Sequence, residues 1–209
     1  MEKYVSKTLE ALRRHRMVAE YVDSRWDVLP KILEWIPQGA SVAFGGSVTL
    51  EETGVLNGIR QMGAQGDLEV LDRFAPGLTP DELKELFRRA FTSDVFLTSS
   101  NAITQDGYLY NVDGRGNRVA AMIYGPDSVI VVAGVNKICE NLEAAVLRNQ
   151  KVSAPKNAMR LKKNTPCAKT GECMHCLSKD RICASFVALG PQMIPNRIKV
   201  LLVGESLGY

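Results

Sequence analysis

At 209 residues, 45% hydrophobic and 23% charged, the chain has room for one ordinary domain, and its composition excludes a disordered or low-complexity protein. A formal net charge of +3 is too small to argue for nucleic acid as a partner. No apolar run approaches the ~20 residues of a membrane span, and the opening MEKYVSKTLEALRRHR is charged and amphipathic with no apolar signal core, which points to the cytoplasm and away from a membrane.

The elements alternate along the chain. Residues 2–15 place Tyr4, Val5, Leu9 and Leu12 near helical spacing, and Met17–Val22 reads as a short strand. Residues 25–36 carry a second helical face through Val28, Leu29, Ile32, Leu33 and Ile36, ended by Pro37-Gln-Gly39. Ser41–Phe44 reads as a buried strand, 49–62 as helix and Leu68–Leu71 as extended. Thr79-Pro-Asp-Glu opens a helix with a cap, a first-position proline and first-turn acids. Asp94–Thr98 is an apolar strand, and Tyr108–Tyr110 and Val119–Ile123 are shorter extended pieces. Ser128–Ala133, apolar and rich in valine, is the most strand-like run, leading to a helix at about 136–150. Arg197–Val203 supplies a last strand.

Short apolar strands separated by helices predict an α/β fold, a Rossmann-like, mostly parallel sheet flanked by helices, in one domain over 1–209. Residues 151–190, polar, basic and cysteine-bearing, form an excursion before the last strand. Arg148 to Lys163 holds six basic residues and no acidic one, which leaves the remainder of the chain at −3. That stretch is a solvated helix face or a site for an anion.

Two motifs point to a ligand. In Gly45-Gly46-Ser47-Val48-Thr49 a strand turns into a helix; glycines let backbone approach a ligand, and the hydroxyls of Ser47 and Thr49 suit a carboxylate or phosphate. The same turn is also explained by Ser47 as a helix cap, and it has neither the Walker lysine nor the GxGxxG fingerprint. The loop from Ser99 to Arg118 then sets Asn101, Thr104, Asp106, Asn111, Asp113 and Arg115 beyond a strand end, where parallel sheets gather ligands. Asp106-Gly107 and Asp113-Gly114 read as turns of a β-hairpin.

This loop is similar to the GAD-x4-NG-x4-N stretch of the ribose-5-phosphate isomerase, sugar-phosphate isomerase and CoA-transferase (NagB/RpiA-like) fold group, with Asn101 where that group usually has Asp and Asp106 where some members have Asn. Gly46–Gly54 and Asn101–Gly107 together, with Thr165-Pro-Cys167-x5-Cys173-x2-Cys176-x6-Cys183 and Val203–Tyr209, resemble short members of the LUD (lactate-utilisation) domain family. The resemblance implies a link to oxidation of lactate or other organic acids, alongside iron–sulfur oxidoreductase subunits as partners.

Cys167, Cys173, Cys176 and Cys183 fall within seventeen residues. In a reducing compartment such a set reads as a metal site before it reads as disulfides. Four thiolates suit a [4Fe–4S] cluster or a structural zinc ion; the spacing matches neither a zinc ribbon nor a ferredoxin run, and free thiols or one disulfide are the other readings. The family's redox setting tilts the expectation to iron–sulfur. Cys139 reads as core. The expectation is a small anionic metabolite bound between the Gly45–Thr49 turn and the Asn101–Arg115 loop, in a chain that forms a homo-oligomer. The competing readings are a CoA-transferase or isomerase with Glu51, Glu52 or Glu205 as carboxylate nucleophile, and a non-catalytic metabolite-binding module with zinc. With two histidines and no GxSxG elbow, a Ser-His-Asp hydrolase is disfavoured.

Overall fold

A computed structural model describes residues 2–209. The chain opens with α1 (Lys3–Arg14), which buries Val5, Leu9 and Leu12 at helical spacing, followed by β1 (Val18–Val22). The expected helix over 25–36 is shorter: a 3₁₀ turn at Arg25–Asp27, where Trp26 N donates to the Ser24 hydroxyl and Arg25 N to the Glu205 carboxylate, leads into α2 (Val28–Leu33). Pro30, which has no N–H to donate, falls in the first turn of α2, where none is needed. After β2 (Ser41–Phe44), the single helix expected over 49–62 is two, α3 (Val48–Glu52) and α4 (Val55–Gln65). Gly54, in the left-handed region at φ 69°, makes the break.

β3 (Glu69–Leu71) is followed by α5 (Pro80–Arg89), whose start is closed reciprocally: Glu82 N donates to the Thr79 hydroxyl at 3.2 Å and Thr79 N to the Glu82 carboxylate at 2.8 Å. β4 (Val95–Thr98), β5 (Ala102–Thr104) and β6 (Leu109–Asp113) come next. Val119–Ile123, expected to be extended, lies in helix α6 (Asn117–Ile123). Its apolar residues suggested a strand, but the Asp113 carboxylate accepts from Val119 N at 3.2 Å, and Gly116 at φ 81° turns the chain into the helix. Asp113-Gly114 is therefore the joint between β6 and α6 and no hairpin turn, whereas Asp106-Gly107 does turn the β5–β6 hairpin, with Gly107 at φ 95°.

β7 (Ser128–Gly134) is buried throughout. The helix expected at 136–150 begins later: a 3₁₀ turn and the short β8 (Ile138–Cys139) precede α7 (Leu142–Arg148), capped by Asn141. A π-turn at Asn149–Ser153 joins it to α8 (Ala154–Arg160), which has Pro155 in its first turn. Residues 151–190 then hold α9 (Pro166–Thr170) and β9 (Ser185–Leu189), and β10 (Ile198–Val203) closes the order.

Six strands form one wholly parallel sheet in the order β1-β10-β7-β4-β2-β3. Alternate residues serve opposite cores, as the pleat requires. Val129, Val131 and Ala133 of β7, with Ile198, Val200 and Leu202 of β10, pack with α1 on one face. Ile130, Val132, Leu201 and Val203 pack with α2, α3 and α4 on the other. Burial on both faces is why these strands read as continuous apolar runs. A second sheet, β8-β5-β6-β9, extends from the C-terminal end of β4. The excursion is thus tied down: β9 pairs antiparallel with the whole of β6. Among the described residues no helix is long and apolar enough to cross a membrane.

Candidate functional site

The chain runs outward from β2 to β3 and returns to β4 on the other side of β2. At such a reversal the loops leaving adjacent strands diverge and open a crevice beyond the C-terminal strand ends. A cleft of about 460 Å³ occupies this place. Its walls come from segments after β2 (Gly46–Thr49), β3 (Arg73, Phe74), β4 (Ser99–Asn101) and β7 (Lys137), closed by α8 residues and by Gly208 and Tyr209.

Lys137 sits at its base, 3% exposed. Nζ donates to the Thr49 hydroxyl at 2.8 Å and the Ser99 hydroxyl at 2.9 Å, and no carboxylate of the described residues lies within ion-pair distance. Burial above all, then the charges of Arg148 and Arg118, bring its pKa down from 10.5 to about 7, with Glu52 pulling the other way. Gly208 lies against this group: a Cβ there would stand 2.6 Å from Thr49 Oγ1 and 3.3 Å from Lys137 Nζ, and its φ of +59° is left-handed. Leu207 is held by its N–H to Asn136 and Gly208 by its N–H to the Glu52 carboxylate.

Arg118 organises the opposite wall. Its two terminal nitrogens donate to Ser99 O (3.1 Å), Asn111 Oδ1 (2.6 Å), Asn101 Oδ1 (3.1 Å) and Val112 O (3.0 Å). The guanidinium fork therefore ties β4's exit to β6, and burial presses its pKa below the usual arginine value. Gly45 has its reason here: a Cβ would meet Arg118 Cδ at 3.0 Å and Cγ at 3.1 Å. Gly45 makes room for an arginine and is not on the lining of the cleft, whereas Gly46 is.

The outer walls are cationic. Arg73 is sandwiched between the rings of Phe74 and Phe87, at 5.1 and 4.6 Å from their centroids, and its buried Nε has no hydrogen-bond partner among the described residues. Arg160 donates to the Tyr209 hydroxyl at 2.7 Å. The side chains of Arg115 and Lys163 make no hydrogen bond or ion pair among the described residues. The one side-chain carboxylate on the lining, Asp113, accepts from Gly114 N and Val119 N and stands 3.7 Å from Arg118 Nε, so its charge is already spent on the β6–α6 joint.

Of the residues expected at the site, Gly46, Ser47, Thr49, Asn101, Asp113 and Arg115 come together on the lining. Ser47 Oγ accepts from Leu50 N at 3.2 Å, so it caps α3 as well as facing the cleft. Thr49 holds Lys137. Asn101 spends Oδ1 on Val112 N and Arg118. Asn111 is fully buried and acts behind the wall through Arg118. Thr104 and Asp106 lie elsewhere: they bond to each other at the hairpin turn, whose Gly107 packs on Ala11 of α1. Sequence reasoning missed Lys137, Arg73 and Arg118, whereas Arg160 and Lys163 belong to the basic stretch read as a site for an anion. The available signal was position: Arg73 and Lys137 follow the ends of parallel strands β3 and β7, and Arg118 stands in the helix after β6.

Two of the three carboxylates named as nucleophiles, Glu205 and Glu52, find other partners. Glu205 is clamped by Arg25 at 2.6 Å, and Glu52 accepts from Gly208 N at 2.7 Å. All five cysteines are free thiols. Cys139 is core, as expected. Cys167 is buried in α9 with Sγ 3.3 Å from the Thr165 hydroxyl, and Cys173, Cys176 and Cys183 are half-buried. Burial pushes the Cys183 thiol up, and the nearby Arg181 pulls it down. Four soft donors suit iron–sulfur or zinc chemically, but as placed they do not fit one: among the described residues no three His, Cys, Asp or Glu side chains converge to hold a metal.

A family model described as LUD domain matches residues 5–203. Among solved structures, a DUF162 family protein from Deinococcus radiodurans is similar over 97% of both chains, at 14% identity and a TM-score of 0.57. That likeness is one of fold. Shorter matches, of TM-score 0.37 and 0.34, link 55% of this chain to 43% of eIF2B beta from Chaetomium thermophilum at 18% identity and 56% to 53% of ribose 5-phosphate isomerase from Plasmodium falciparum at 16% identity. No curated protein matches.

Proposed function

The chain belongs to the LUD domain family, and from that footing we propose that it serves lactate or related organic-acid utilisation by binding a small anionic metabolite in the cleft beyond β2, β4 and β7. One observation carries this reading. Arg73, Arg115, Arg160 and Lys163 face one cleft of about 460 Å³ in which the sole side-chain carboxylate is already engaged by backbone N–H groups. Collecting like charges around a crevice costs free energy in the empty protein and favours an anion that neutralises them. Arg115 and Lys163 are the free cations at the mouth. Ser47 and the Asn101 amide supply neutral donors. Family membership supports a cytoplasmic setting beside iron–sulfur oxidoreductase subunits.

Thermal unfolding with L-lactate, ribose 5-phosphate and CoA tests the site. A true ligand at one hundred times its Kd stabilises the fold by about 2.7 kcal/mol. The shift is expected to shrink with salt and to vanish in the Arg115→Glu/Lys163→Glu double variant. Equal shifts with a neutral analogue such as lactamide, or shifts that survive the double substitution, would overturn the proposal.

A further inference from the structure

The contacts of Lys137 suit an amine better than an ammonium ion. Nζ has two partners, Thr49 Oγ1 and Ser99 Oγ. Each of those hydroxyls has another acceptor for its own proton, Leu207 O at 3.4 Å and Ser100 O at 3.5 Å, so each turns a lone pair to Nζ. Two N–H groups and two acceptors match the neutral –NH₂ form. A third N–H would have no acceptor among the described residues, and no carboxylate stands by to pair a charge. Arg148, with its Nη1 on Asn101 O and Ser153 Oγ, and Arg118 add positive charge nearby. With both hydrogens committed, the lone pair is the remaining function of a nitrogen that lines the cleft.

We propose that Lys137 is a covalent site: its amine forms a Schiff base with the carbonyl carbon of a ligand that also bears a carboxylate or phosphate. This rests on the anion site proposed above. The nitrogen lone pair makes the C–N bond as the carbonyl π pair moves to oxygen; the two amine hydrogens then leave with that oxygen as water, and a C=N bond remains. The free cations at the mouth, Arg115 and Lys163, take the acid group, which leaves the carbonyl end for the base of the cleft. A pKa near 7 keeps about half of the amine unprotonated at neutral pH.

The full chain is incubated with pyruvate or, separately, with glyceraldehyde 3-phosphate, and reduced with sodium cyanoborohydride. L-lactate, which has no carbonyl, is the binding-only control. Peptide mass mapping is expected to find one secondary-amine adduct, on Lys137, at least tenfold above any other lysine. Pyruvate or the phosphate as the better trap tells a carboxylate ligand from a phosphate ligand, and either result supports the proposal. Lys137→Met is expected to lose the adduct. Because mapping is done on the wild-type chain, the test does not depend on that variant folding. Adducts spread over surface lysines, or none while the carbonyl acids still shift thermal unfolding, would overturn the Schiff base and leave the anion site standing. No adduct and no shift with any acid would sink both.

Discussion

Lys137→Met should stabilise the folded protein at neutral pH while removing what the cleft is built around. In the unfolded chain the amine holds its proton to about 10.5; in the folded chain it releases it near 7. Between those values the unfolded state binds one more proton, so wild-type stability rises with pH, by about 1.4 kcal/mol per unit. The full burden, borne at and below pH 7, is about 5 kcal/mol for a drop of this size. Methionine, of similar length, escapes it but gives up two hydrogen bonds worth about 1 kcal/mol each. The net expectation at pH 7 is a variant more stable by about 2–3 kcal/mol, an advantage that fades as pH climbs toward 10. Urea unfolding at several pH values between 6.5 and 9.5 reads both quantities. A variant less stable than wild type by the same amount at every pH would refute the reasoning, because it would mean that Lys137 is a paired structural charge.

Three further outcomes follow from the same contacts. Arg118→Met removes a donor from four carbonyl or amide oxygens, of which Asn101 Oδ1 keeps Val112 N and one is on the fully buried Asn111, and should cost at least about 3 kcal/mol in chemical denaturation; Arg118→Lys should not rescue it, since one ammonium cannot reproduce the fork. Gly45→Ala forces a Cβ to 3.0 Å from Arg118 Cδ and should lose about 1–3 kcal/mol together with anion-induced thermal shifts; full retention of those shifts would separate the turn from the site. In the reduced protein, Cys173, Cys176 and Cys183 should react with a thiol reagent ahead of buried Cys139 and Cys167. Mass mapping of early labelling checks that order, and protection of all four clustered thiols together with stoichiometric iron or zinc would show that the segment closes around a metal.

The sheet was legible because its strands are buried on both faces and so carry unbroken apolar runs; Ser41–Phe44, Asp94–Thr98, Ser128–Ala133 and Arg197–Val203 all found their places. What misled was local periodicity without its caps. Val119–Ile123 is apolar enough for a strand, and it is the Asp113 carboxylate six residues earlier, with the left-handed turn at Gly116, that starts it as a helix. Lys137 was hidden inside a region read as one helix from 136 to 150, although a lysine in the turn that follows seven buried strand residues already stands where α/β ligands bind. The cations at 73, 115, 160 and 163 come from three separate segments, after β3, after β6 and at the end of α8, which meet only in the folded chain. Gly45 was legible as a special position, but not for which neighbour.

The placement of β10 has a bearing on how the protein is made. It lies between β1 and β7, and in the parallel sheet β1 pairs with nothing else. β1 must therefore wait for β10, made much later, before it has a partner in this sheet, with some 180 residues of loop to close across that pairing. Until then the apolar side of α1 and the open edge of β7 stay uncovered. Such long-range closure slows folding and lengthens the time in which chaperones, or misplaced copies of the same strand, compete for that edge.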